Sequence, residues 1–133
     1  MDDLMKARTV RFKKANPLLA SGFAQLPRVV IRAGKRISPM AKITFATLLD
    51  YAWQDGFCFP AQERLARDIG TNEKSIRKYL SELQDLQMIE VKKKGRGMHN
   101  IYIINDDAPV LKLVQKELEQ EQKAQARVSD LPS

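Results

Sequence analysis

Apolar residues in this chain recur in short clusters, divided by charged stretches and by Gly, Pro and Asn, and the spacing inside each cluster predicts its element. Ser38-Pro39 reads as a helix start, serine as N-cap and proline in the first turn. Ile43, Ala46, Thr47, Leu48, Leu49 and Tyr51 continue a mostly apolar helix to about Gln54, stopped by Asp55-Gly56. Pro60-Ala61 opens a second, short helix whose Leu65, Ala66 and Ile69 make one buried stripe, and Gly70 ends it. Asn72 caps a third helix over about 73–87, with Ile76, Tyr79, Leu80, Leu83 and Leu86 on one face and Glu73, Lys74, Arg77, Lys78 and Ser81 on the other. Ile89-Glu90-Val91 and Ile101-Tyr102-Ile103-Ile104 read as two strands around Lys94-Gly95-Arg96-Gly97, a basic-tipped hairpin.

The two ends pattern differently. Residues 1–22 form a basic flexible arm, in which Asn16-Pro17 disfavours helix. Phe23 to Ile31 reads as a short edge strand, because Leu26-Pro27 limits pairing and Val29-Val30-Ile31 is β-branched. From Ala108, the residues Val110, Leu111, Leu113, Val114 and Leu118 give an apolar helical face, whereas Glu119 to Ala126 is Gln, Glu, Lys and Ala, so this helix begins packed and ends solvated. The expected organisation is an arm (1–22), a domain (23–105), and a C-terminal helix with a polar tail (106–133).

Composition narrows the function classes. A chain of 133 residues suits one domain and a tail, and no apolar run reaches the length of a membrane span. Met1 to Lys6 lacks an apolar stretch behind a basic start, which gives the expectation of a cytoplasmic protein, associated with a bacterial nucleoid or a plasmid. One cysteine, Cys58, and one histidine, His99, leave little scope for metal sites or histidine catalysis, and no phosphate loop, nucleophile elbow or His-Glu-x-x-His pair occurs. The expectation is a non-enzyme without a cofactor. Net charge is +7 and unevenly placed: residues 1–36 carry nine basic and two acidic groups, residues 37–89 six and seven, residues 90–104 four and one, and residues 105–133 four and six. Such a distribution points to a polyanionic partner met by an arm and a hairpin.

Two helices joined by a turn at Gly70-Thr71-Asn72 and followed by a basic hairpin describe a winged helix-turn-helix, an α+β, mostly α fold with a two-stranded β wing. In that arrangement Arg77 can donate to guanine O6 and N7, and Asn72 and Lys74 can reach base edges or phosphate. Glu73 can accept from cytosine N4, while Ser75 and Ser81 supply hydroxyls. Lys92, Lys93, Lys94 and Arg96 suit backbone or minor-groove contact, and Arg8, Arg11, Lys13 and Lys14 of the arm suit minor-groove insertion. The stretches Gln25-Leu26-Pro27-Arg28-Val29-Val30, Ser38 to Phe45, Phe59 to Ala66, Ser75 to Leu83 and Gly97 to Tyr102 resemble winged helix-turn-helix domains of plasmid and phage replication initiators and related bacterial regulators. The resemblance covers about Phe23 to Ile104 and implies duplex-DNA binding by the helix at 73–87, in transcription regulation or replication initiation of a mobile element. Ala61 and Gln87 depart from the pattern: relatives often cap the second helix with Ser or Thr, and often have glycine after the third.

The charged face of the third helix could be simply solvated, but the paired helix and basic hairpin favour DNA contact. A protein-interaction module, or a fragment of a larger initiator, is the competing reading, kept alive by the nearly neutral middle. A homodimer through the helix at Val110 to Leu118 would let two copies read two half-sites. Single-strand binding would need exposed aromatics, yet Phe45, Tyr51, Trp53, Phe57 and Phe59 read as core, as does Cys58 between two phenylalanines. Glu117, Glu119 and Glu121 read as a solvated helix face.

Overall fold

The computed structural model describes residues 21–93 and 99–129, with side chains as far as residue 126. Helix α1 (Arg28–Ile31) leads through a 3-10 turn (Gly34–Arg36) to α2 (Pro39–Tyr51), then β1 (Phe57–Cys58), α3 (Gln62–Ile69) and α4 (Glu73–Asp85). Strands β2 (Ile89–Lys92) and β3 (Ile101–Ile104) follow, and α5 (Pro109–Ser129) closes the described chain. One antiparallel sheet has the order β1-β3-β2, with Cys58 and Val91 both opposite Tyr102 and Lys92 opposite Ile101. Helices α2, α3 and α4 pack on one another and on this sheet around Phe45, Leu48, Leu65, Ile76, Leu83 and Tyr102, all buried. This is a winged helix-turn-helix fold, as the element order predicts. The arm residues Arg8, Arg11, Lys13 and Lys14, and the hairpin-tip residues Lys94 and Arg96, lie outside the described residues.

The edge strand expected over Phe23 to Ile31 is not formed; α1 stands there, and the third strand of the sheet is β1 instead. Pro27 is extended (φ −57°, ψ 142°), and its carbonyl accepts the amides of Val30 and Ile31 at 3.0 and 3.2 Å. Leu26, Val29, Val30 and Ala33 all pack into the core, with Val30 and Ala33 fully covered. Their i, i+3, i+4, i+7 spacing is helical, so burial of that stripe outweighs the β preference of the branched residues.

Helix α2 starts where expected: Ser38 Oγ accepts from the Ala41 amide at 3.3 Å, with Pro39 in the first turn. It ends at Tyr51, short of Gln54, and the Ala52 carbonyl then accepts the Gly56 amide in the turn to β1. A second clamp ties this start to α4, because Glu82 takes the Ser38 amide and the Ser38 hydroxyl, each at 2.7 Å.

The aromatic residues correct the expectation of core packing. Only Phe45 of the five is buried; Trp53 is 63% exposed, Phe59 62% and Phe57 43%. Strand geometry explains Phe57, since alternation in β1 sends Cys58 inward and Phe57 out; Phe59 follows the end of the strand. Tyr51 sits at the end of α2 and donates its hydroxyl to Asp68 of α3 at 2.6 Å, which joins these helices at the surface. Cys58 is buried as expected, donates to the Leu48 carbonyl at 3.6 Å, and desolvation pushes its thiol up to about 11. The native thiol is therefore expected to resist an aromatic disulfide reagent at pH 8 and to react once denatured; fast native labelling would contradict the burial.

Helix α4 ends in a Schellman turn. Met88 donates to Leu83 at 2.9 Å and Gln87 to Gln84 at 3.0 Å, which places Gln87 at φ 62°. This is the position where relatives often have glycine, and a side chain there costs about 1 kcal/mol. Gln87→Gly is expected to stabilise the fold by about 0.5–1 kcal/mol in urea denaturation, because the Asn105 side chain bonds only the Gln87 carbonyl, which glycine retains.

Helix α5 packs through Leu111 and Val114, and its polar second half is exposed, so it begins packed and ends solvated. Glu117 is not merely solvated: Arg36 donates to it from both terminal nitrogens, at 2.9 and 2.6 Å. The Arg36 hydrogen bonds, and then its charge, hold the Glu117 carboxyl below the ordinary value of 4.5. A depressed carboxyl stabilises the fold above its unfolded pKa and loses that contribution as pH falls through its folded pKa. Glu117→Gln is therefore expected to flatten the acid limb of a stability–pH profile, read by thermal melts across the acidic range.

Candidate nucleic-acid interface

The turn between α3 and α4 is set by two residues. Gly70 adopts φ 87°, open to glycine without strain, and the Gly70 and Thr71 amides both close on the Ala66 carbonyl, at 2.8 and 2.9 Å. Asn72 then starts α4, its Oδ1 accepting the Ser75 amide at 2.8 Å. Ile76, Leu80 and Leu83 seat α4 against Leu65 and Ala66 of α3, which fixes the direction of its other face.

That other face is exposed along its length and carries Glu73, Lys74, Arg77, Lys78 and Ser81, with Asn72 exposed at its head and Ser75 half-buried. Lys74, Arg77, Lys78 and Ser81 follow i, i+3, i+4, i+7 spacing, so they form a single stripe. Arg77 Nη1 lies 3.8 Å from Glu73 Oε2, a solvent-exposed pair worth only a few tenths of a kcal/mol, which leaves the guanidinium free to exchange partners.

Beside this stripe lies a cavity of about 370 Å³ lined by Pro60, Ala61, Glu63, Glu73, His99 and Asn100. The N termini of α3 and α4 and the chain entering β3 thus open on one concave face. No side chain caps α3 at Ala61, consistent with the missing Ser or Thr, so amides of its first turn remain without a side-chain acceptor. His99, which carries little sequence signal, is exposed just before β3, on the tip side of the wing. Lys92 and Lys93 are exposed at the far end of β2, leading toward the hairpin tip. The structure therefore brings Asn72, Glu73, Lys74, Arg77, Lys78 and Ser81 together on one helix face, with Lys92 and Lys93 on the adjoining wing.

Glu82 is the residue that sequence reasoning passed over. It holds the α2 N terminus against α4 and so keeps the outward face of α4 in register with the rest of the domain. A carboxylate in the second half of a helix, against the dipole, is the signal that marks it. Among the described residues no group of His, Cys, Asp and Glu is placed to hold a metal ion, and no helix is long and apolar enough to cross a membrane.

Residues 35–89 match the model of a helix-turn-helix domain family. Solved structures share the fold at low identity. One described as the N-terminal domain of a DNA-binding protein superposes with a TM-score of 0.52 at 17% identity, covering 82% of this chain and 96% of its own. A Rep–DNA complex gives 0.53 at 16% identity, covering 80% and 95%. A "possible transcriptional regulator" from Methanosarcina mazei Go1 gives 0.51 at 9% identity, covering 77% and 87%. No curated protein matches the chain in sequence.

Proposed function

We propose that this chain, whose residues 35–89 match a helix-turn-helix family model within a winged helix-turn-helix fold, binds duplex DNA sequence-specifically, with α4 in the major groove and the wing on the flanking backbone. The observation that carries the reading is the exposed stripe Lys74, Arg77, Lys78 and Ser81 on a helix whose opposite face is locked into the core. Base readout falls to Asn72, Glu73, Ser75, Arg77, Lys78 and Ser81, and Lys74 contacts phosphate at the head of the helix. Lys92, Lys93, Lys94 and Arg96 neutralise phosphate, as do Arg8, Arg11, Lys13 and Lys14 of the arm. The described structural relatives include a Rep protein on DNA and a possible transcriptional regulator, and the biological role proposed here is of the same kind: transcription regulation or replication initiation of a mobile element. Pairing of two copies through the Val110 to Leu118 face of α5 would place two recognition helices on one site, although Val110, Leu111, Val114 and Leu118 already pack in the domain's own core and Leu113 is the exposed residue of the five.

The test is a fluorescence-anisotropy titration against random duplex and single-stranded DNA at two salt concentrations, followed by selection of the bound duplexes. Salt-sensitive duplex binding that yields a defined motif is the expected result, with an inverted repeat if the chain acts as a dimer. Absence of duplex binding at low salt would overturn the proposal.

A further inference from the structure

Between Lys42 and Arg64 the chain holds no basic residue and three acidic ones, Asp50, Asp55 and Glu63, in a protein of net charge +7. The same stretch carries the exposed aromatics: Trp53 in the turn after α2, and Phe57 and Phe59 pointing outward on either side of Cys58. Asp50 and Asp55 are exposed in the same stretch, three residues before and two after Trp53. Three large aromatic side chains exposed within seven residues make this stretch a candidate contact site. Its anionic setting disfavours phosphate, so nucleic acid is a poor occupant, whereas cations can stack on the indole and phenyl faces.

The chain contains a complementary segment. Residues 1–20 carry Lys6, Arg8, Arg11, Lys13 and Lys14 against Asp2 and Asp3, interleaved with Val10, Phe12 and other apolar residues. Twenty residues of chain reach roughly 60 Å when extended, against a radius of gyration of about 14 Å for a domain of this length, so every part of the surface lies within range. We infer that the anionic aromatic face around Trp53, Phe57 and Phe59 is a docking site for the chain's own basic N-terminal segment, residues 1–20. Docked there, the segment's cations face Asp50 and Asp55, and its apolar residues cover the aromatic rings. The segment then has two competing anionic partners, this face and a DNA backbone. Docking itself does not depend on the DNA reading.

Trp53 is the sole tryptophan and reports on the face directly. In the full chain at low salt, without DNA, its emission is expected to be blue-shifted and shielded from acrylamide. Two charge-neutralised full chains are compared: one with Arg8→Gln, Arg11→Gln, Lys13→Gln and Lys14→Gln, the other with Asp50→Asn and Asp55→Asn. Both are expected to show red-shifted, freely quenched emission, as is the unaltered chain at high salt, where screening shortens the reach of the charges. Circular dichroism on each variant verifies that the fold is kept. Free quenching of the unaltered chain at low salt would overturn the inference, as would shielding that survives both variants. Shielding that grows with protein concentration would assign the face to a second copy, and shielding that appears only with a single-stranded oligonucleotide would assign it to bases; either outcome also overturns it.

Discussion

Changing Lys74 and Arg77 together to alanine is expected to weaken duplex binding by roughly 10-fold to 1,000-fold at fixed salt. The estimate takes about 1–3 kcal/mol for a bidentate arginine–guanine contact, a smaller term for a lysine on phosphate, and 1.4 kcal/mol per factor of ten. Both side chains are exposed, and Arg77 has only the weak Glu73 pair to lose, so the unfolding midpoint should stay nearly unchanged. That combination separates a lost contact from a lost fold. The two residues should also differ from each other: losing Arg77 relaxes the selected sequence at one position, while losing Lys74 weakens all sequences alike and reduces the salt slope by about one. Lys92→Ala with Lys93→Ala should behave like the second case. Unchanged affinity in the double variant would shift the balance to the protein-interaction reading.

Glu82→Ala is expected to destabilise the domain by about 2 kcal/mol, the second-largest effect. The carboxylate accepts two short hydrogen bonds from one residue, the backbone amide and hydroxyl of Ser38, in a half-buried setting between two helices. Hydrogen bonds to a charged group contribute about 1.5–3 kcal/mol, and removal also leaves the amide at the head of α2 without its acceptor. Thermal or urea unfolding measures this, and Glu82→Gln, which keeps one acceptor oxygen, should fall between. A neutral alanine variant would mean that water replaces the carboxylate at no cost. Since Glu82 also sets how α4 sits on α2, its loss should lower DNA affinity as well, without altering the selected motif.

Most of the architecture was legible because its signals are local. Ser38-Pro39 and Asn72 as caps, Gly70 as a stop, and the Ile76, Leu80 and Leu83 stripe each depend on residues within one or two turns, and the observed elements follow them closely. The exposed face of α4 was legible for the same reason, since a helix that buries one stripe must present the other. The departure at Gln87 was legible too, as a side chain at a position whose geometry favours glycine.

Local signals in the chain are enough for the three central helices, the two wing strands and the C-terminal helix in their order, for the direction of the outward face of α4 and for the two concentrations of positive charge. Tertiary structure decided what depends on distant partners. Val29-Val30-Ile31 carries strand propensity, yet it turns helical because Leu26, Val30 and Ala33 find a shared core to bury in. Phe57 and Phe59 look like core residues in a list, but pairing of β1 with β3 sends Phe57 outward and Cys58 inward, and Phe59, just past the strand, is exposed as well. Ser38 with Glu82, and Arg36 with Glu117, meet across 44 and 81 residues of chain. Local propensities are small and can be read from neighbours; burial and long-range pairing are larger, and become defined only when the chain has closed on itself.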